Sequence, residues 1–159
     1  MQKIVNEITK IRINVPDEKA ITISLIQKYI GISKEYNVFE LPEALTGNDW
    51  DKLYKMIAYF VTNPKSAPMP LLIGSFYSHF SKLYMACYLA NKPDNEINKA
   101  LGTYANRGRA IMATTQRWPL HRVERCMLLI SKYSAMGVGI NSLADDGELI
   151  KEFMARMME

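Results

Sequence analysis

The chain has 159 residues, of which 48% are hydrophobic and 23% charged, and it carries a formal net charge of +4. This composition predicts one soluble globular domain, or one domain with a small appendage. The uncharged run Met69–Ser81 is too short to span a membrane, and the charged N-terminus does not resemble a secretory signal. We therefore expect a cytoplasmic protein without a membrane segment.

The positive charge is concentrated in one part of the chain. Residues 97–144 carry seven Lys and Arg residues against one Glu, whereas residues 145–159 carry five acidic residues against two basic ones. A local basic block is typical of a surface that contacts phosphate or an acidic protein. It is equally typical of an ordinary solvated helix face.

Apolar residues recur at spacings of three and four along the chain, and strand-like alternation is nearly absent, so we predict an all-α fold. The first segment places Ile4, Ile8 and Ile11 on one helical face. A second short helix is predicted up to Ile30, with a short strand near residues 20–24 left open as an alternative. Gly31 ends this pattern, and Ile32–Tyr36 is predicted to be a hinge.

Helix-capping signals then mark a new structural unit. Asn37 is predicted to cap its first helix, with Glu40 reaching back toward the cap. Gly47 is predicted to end that helix in the left-handed conformation, and Asn48 to cap the next one. Seven helices are predicted from here on, over residues 38–45, 49–62, 69–91, 94–101, 104–117, 120–136 and 146–158.

The sequence contains no recognisable catalytic or cofactor motif. It has no phosphate-binding loop, dinucleotide fingerprint, nucleophile elbow or paired metal ligands, so we predict no catalytic residue, no cofactor and no metal. Three polar sets are predicted to have structural rather than catalytic roles. They are a capping cluster (Asp145, Asp146, Glu148), a helical triplet whose members face different ways (Ser78, His79, Ser81), and two reduced core cysteines (Cys87, Cys126).

Two groups of residues are candidates for contact with a partner. Arg122, Arg125 and Lys132 lie within about a quarter turn of one another on a helix, and the loop that follows contains Gly137, Gly139 and Asn141. These six are predicted to contact DNA or a partner, while nearby Trp118 and Tyr133 are expected to be buried. Three residues near the C-terminus, Phe153, Met157 and Met158, are predicted to contact another subunit. For the two methionines, a place in an adaptable core is the alternative.

Three segments, in this order along the chain, resemble the C-terminal portion of the DNA polymerase III delta subunit, a clamp-loader family, as it occurs in Bacteroidetes-type bacteria. They are YIGISKEYNVFELPEAL, IAYFVTNPKSAPMPLLIGSFYSHFSKL and GVGINSLADDGELIKEFMARMM. The resemblance covers essentially the whole chain, although none of these segments is a catalytic motif. It weakens at LGTYANRGRAIMATTQRW, where relatives commonly have an apolar helix start.

The resemblance implies that residues 1–36 form the end of an AAA+ lid-like helical domain and residues 37–159 a C-terminal collar domain. It implies a protein that is not an enzyme by itself but belongs to the DNA polymerase III holoenzyme. Its partners would be the collars of other clamp-loader subunits and, in the full complex, primed DNA. The sliding clamp would be contacted only through an N-terminal domain that this sequence lacks.

Two other functions remain open from the sequence. One is a DNA-contacting all-α module that uses the basic block from Lys99 to Lys132. The other is an unrelated enzyme with a helical pocket near His79 or the Asp145 cluster.

Overall fold

The computed structural model of the chain describes residues 8–9, 12–15, 20, 22, 36–104 and 106–159. The chain divides into two compact units, Met1–Glu35 and Tyr36–Glu159. In the first unit, residues 8–9 and 12–14 are helical. The predicted second helix, the Gly31 stop and the hinge lie largely outside the described residues. The assignment of the units to lid and collar stays a prediction.

The predicted all-α class is confirmed, because the described residues form helices, turns and loops and no strand. The second unit contains two short 3₁₀ turns, Val38–Glu40 and Pro64–Ser66, and the helices α1 (Leu41–Gly47), α2 (Trp50–Thr62), α3 (Met69–Cys87), α4 (Asp94–Leu101), α5 (Arg107–Thr115), α6 (Leu120–Met136) and α7 (Asp146–Met158). Helix α3 ends at Cys87 rather than Asn91, and α5 begins at Arg107 rather than Tyr104. In the described part of the chain, no helix has the length and apolar character needed to cross a membrane.

The start of this unit confirms one predicted cap and corrects three other capping predictions. Asn37 Oδ1 accepts the backbone N–H of Phe39 at 3.1 Å, as expected. The Glu40 carboxylate does not return to the cap, because it forms an ion pair with Lys52 of α2 at 2.5 Å. The left-handed residue after α1 is Asn48 (φ 59°) and not Gly47, so Asp49 takes over the capping of α2. Asn tolerates this conformation because its short polar side chain can bond locally.

Helix α3 is central, as its wide apolar band predicts, and it packs against α1, α4, α5, α6 and α7. Its aromatic side chains link it to the helices around it. The Phe76 ring meets Phe153 of α7 edge-on with centroids 5.0 Å apart, and Phe80 meets Trp118 in the same way at 5.5 Å. Trp118 and Tyr133 are fully buried, as predicted.

The structure corrects one inward-facing assignment on α6 and two predicted subunit contacts on α7. On α6 the buried thiol is that of Cys126, whereas Met127, predicted to face inward, is half-buried. On α7, Phe153 is 0% and Met157 1% exposed, which places both in the core of this unit. Because α7 turns this face toward α2 and α6, these two residues are not available as subunit contacts; Met158 is half-buried.

A second, smaller core holds α4 in place. It consists of Ala86, Ile97 and Leu101, with three half-buried apolar neighbours. Beside it, the Asn98 side-chain oxygen accepts hydrogen bonds from the Gly108 N–H at 3.2 Å and from the Thr103 hydroxyl at 3.1 Å. One asparagine thus connects the end of α4 to the start of α5.

The start of α7 lies very close to the end of α2. A Cβ atom at Gly147 would be 2.9 Å from the carbonyl oxygen of Val61 and 3.2 Å from Asp145 Oδ1. Real Cβ atoms essentially never approach an oxygen to within 3.0 Å. Glycine is therefore required here for close packing of α7 on α2.

Candidate partner-binding surfaces

An apolar groove of about 670 Å³ lies between the first half of α3 and the second half of α6. This arrangement shows that the two helices run antiparallel. None of the described residues that line the groove is charged. Its walls include Pro70, Gly74 and Tyr77 from α3 and Ser131, Ser134 and Val138 from α6 and the turn after it.

The groove exists because small residues face each other where α3 and α6 meet. Gly74 has no atom within 4 Å of the position its Cβ would occupy, so space remains open beside it. Ser131 and Ser134 supply short side chains from the opposite wall. Larger apolar groups stand at the edge, since Tyr77 is 56% and Val138 66% exposed. An open, uncharged trough with an apolar edge is typical of a protein-binding surface.

Exposed apolar side chains continue away from the groove. Tyr84 of α3 and Tyr88, the residue after the end of α3, are exposed and meet edge-on with centroids 5.4 Å apart. The hydrogen bond from Tyr88 to Tyr84 raises the pKa of the Tyr88 phenol above its usual range, so this phenol is neutral at physiological pH. In the loop after α6, Ile140 and Leu143 are also exposed.

The three predicted cationic contacts on α6 are largely engaged within the chain. The guanidinium of Arg122 lies over the Trp118 ring, 3.8 Å from its centroid. Arg125 pairs with Glu159 at 3.1 Å, and the ammonium of Lys132 lies 5.4 Å from the centroid of the Tyr133 ring. The carboxylate of Glu159 at the end of α7 therefore offsets part of the charge on this face.

The predicted contact loop after α6 has a clear conformational role. Gly139 (φ 84°) and Asn141 (φ 58°) are left-handed, a conformation these two residue types adopt readily. Gly137 is helical, and a Cβ there would be 3.0 Å from the Met69 side chain. Because Val138 in the same turn lines the groove, the structure brings this loop to the groove.

The polar sets weighed for catalysis have structural partners. Asp145 Oδ1 accepts the Glu148 N–H at 2.9 Å, which confirms the predicted cap. Ser81 donates to the Tyr77 carbonyl at 2.6 Å, while His79 contacts Thr46 of α1 at 3.0 Å. The triplet therefore forms no connected relay.

Burial shifts the pKa values of one histidine and two cysteines. Burial lowers the pKa of His79 to about 4, so its imidazole is neutral at pH 7. Burial also raises the pKa of the Cys126 thiol to about 11 and raises that of Cys87, and both cysteines are free thiols. Among the described residues, no group of three or more His, Cys, Asp or Glu side chains could hold a metal ion.

Comparison of the chain with models of known protein families, with curated proteins and with solved structures found no match. The resemblance to the clamp-loader delta family thus depends on the quoted segments alone. The groove itself was not predicted from the sequence, where Tyr77 and Met127 were assigned to the core or its flank. The signal that could have indicated it is a glycine within α3 opposite the two serines of α6.

Proposed function

We propose that this chain is a non-catalytic helical scaffold, the lid-end and collar part of a clamp-loader delta subunit of the DNA polymerase III holoenzyme. In this role it holds its subunit in the cytoplasmic loader ring that places the sliding clamp on primed DNA. The groove between α3 and α6 is the observation that carries the proposal. Its occupant would be an amphipathic helix from the collar of a neighbouring loader subunit.

The shape and chemistry of the groove support a helix as the occupant. A helix presents apolar side chains at spacings of three and four, which suits a trough that runs along a pair of helices. An uncharged wall imposes no cost on an apolar side chain, and each one fully buried contributes about 1.5–3 kcal/mol. The hydroxyls of Ser131 and Ser134 can bond to polar groups along the edge of that helix.

The surface area that lines the groove is smaller than the area buried in a stable interface. Specific interfaces typically bury about 800 Å² on each partner. Three exposed tyrosines, Tyr77 and Tyr84 on α3 and Tyr88 directly after it, would extend the contact surface beyond the groove. Tyrosine is enriched in such interfaces because it buries a large ring and keeps its hydroxyl bonded.

The test is to mix the chain with the collar portions of the other loader subunits and to measure their association by analytical ultracentrifugation at micromolar concentration. A Ser134→Glu variant should weaken association about tenfold or more, because it places a carboxylate in an uncharged groove. Ala58→Glu, on the exposed face of α2, is the matched control and should have no effect. Absence of association, or equal weakening by both variants, would refute the proposal.

The DNA-contacting alternative makes a different prediction. If Arg122, Arg125 and Lys132 each neutralised a phosphate, the logarithm of the affinity for primed DNA would fall with log salt with a slope of about −3. The pairing of Arg125 with Glu159 argues for a smaller slope. Measuring binding of primed DNA between low and physiological salt distinguishes the two functions, since the scaffold requires no such dependence.

A further inference from the structure

A polar cleft of about 440 Å³ lies on the side of α3 opposite the groove. It is lined by Ser78, His79 and Lys82 from α3, by Thr46 from α1, and by Arg107 from the first turn of α5. Because the two cavities use different faces of one helix, the cleft is not explained by the proposed scaffold function. Its volume falls within the range of small-molecule sites.

The hydrogen bonds of Thr46 fix the tautomer of the histidine in this cleft. The Thr46 hydroxyl lies 2.9 Å from the carbonyl oxygen of Pro42, to which it must donate its single hydrogen. At the 3.0 Å contact with His79 Nε2 the same hydroxyl therefore accepts, and Nε2 carries the proton. The imidazole is held in one orientation as a neutral group beside the Lys82 ammonium.

The cleft has an excess of cationic groups without partners. Lys82 is half-buried and Arg107 exposed, and within the described part of the chain neither forms an ion pair. The one carboxylate in the lining, that of Glu43, also has no ion pair there. The Ser78 hydroxyl lies one helical turn before Lys82, on the same side of α3. Two cations on two helices, with a hydroxyl beside them, form a donor set suited to an anion with several oxygens.

The rest of the lining is apolar and aromatic. Phe39 is 55% exposed in the 3₁₀ turn, and the half-buried Ile111 contributes aliphatic surface from α5, while the core residue Leu83 forms the floor beneath them. A fully inorganic ion would leave this surface uncovered. The geometry points to a binding site for a small phosphate monoester, with the phosphate between Lys82 and Arg107 and its organic group against Phe39.

The test uses phenyl phosphate as the probe, with inorganic phosphate and phenol as its two halves, in calorimetric titrations of the whole chain at low salt. Phenyl phosphate should bind saturably, inorganic phosphate more weakly, and phenol not measurably. Tight binding of inorganic phosphate with no gain from the ring would overturn the monoester assignment. No saturable binding of phenyl phosphate up to about 10 mM would overturn the site itself.

Two variants locate the binding in the cleft. Lys82→Gln and Arg107→Gln should each weaken phenyl phosphate binding about fivefold or more, because each removes one charge from the phosphate. Lys151→Gln and Arg117→Gln, which change exposed residues elsewhere, should leave the affinity unchanged. Equal losses in all four variants would show non-specific attraction and overturn the proposal. Circular dichroism of each variant confirms that it is folded.

Discussion

Replacing Gly147 with alanine tests whether α7 starts as close to α2 as the structure shows. The added Cβ would lie 2.9 Å from the Val61 carbonyl oxygen, whereas ordinary contact begins at 3.4 Å. The two helices would have to separate by about half an ångström, and Asp145, whose Oδ1 would lie 3.2 Å from the same Cβ, would also have to shift and weaken its bond to the Glu148 N–H. Overpacking of this kind costs about 1–3 kcal/mol.

The same substitution at Gly74 is a matched control with the opposite sign. No atom lies within 4 Å of the Cβ position there, and Gly74 is inside α3. Alanine should therefore stabilise the chain by about 0.5–1 kcal/mol through helix propensity alone. At Gly147 a propensity gain of that size offsets part of the overpacking cost, which leaves a net loss of up to about 2.5 kcal/mol.

Urea unfolding followed by circular dichroism measures both changes on the full chain. The two variants should differ from each other by about 2 kcal/mol in the free energy of unfolding. If Gly147→Ala were as stable as Gly74→Ala, the close approach of α7 to Val61 would be refuted.

Three further substitutions follow from the core, the histidine and the cap. Phe153→Ala should destabilise the chain by about 3–5 kcal/mol in urea unfolding, because the ring is fully buried, whereas Leu143→Ala at an exposed site should change stability by less than about 0.5 kcal/mol. Burial lowers the pKa of His79 to about 4, so the unfolded chain binds this proton more strongly than the folded chain. The free energy of unfolding is therefore unaffected by this group above pH 6.5 and falls as the pH drops toward 4. Between pH 7 and pH 5, wild type should lose about 2 kcal/mol more than His79→Asn. Asp145→Ala should cost about 1 kcal/mol by the same urea assay, and no loss would contradict its role as a cap.

The helices could be predicted from the sequence because their signals are local. Apolar spacing and capping residues located every helix after residue 37, and the caps at Asn37 and Asp145 are those the sequence predicts. The turn at residues 47–48 could not be resolved in this way, since glycine and asparagine both tolerate the left-handed conformation. Which of them adopts it depends on how α2 packs against α1.

The candidate partner-binding surface could not be predicted from the sequence, because it depends on neighbours in the tertiary structure. An apolar stripe on α7 is compatible with a core or with an interface, and only the packing of α7 shows that Phe153 and Met157 belong to the core. The groove depends on the distance between residues of α3 and α6 that are more than fifty positions apart. Helical periodicity carries no information about that distance.

The small core around α4 has a consequence for how the protein opens. Ala86, Ile97 and Leu101 are its only fully buried apolar residues in the described part of the chain, while the main core joins α1, α2, α3, α6 and α7. Partial opening requires the least free energy where few apolar contacts must be broken. Backbone amides of α4 should therefore exchange with deuterium before those of α3. Limited proteolysis should begin at α4 while the remaining helices stay folded.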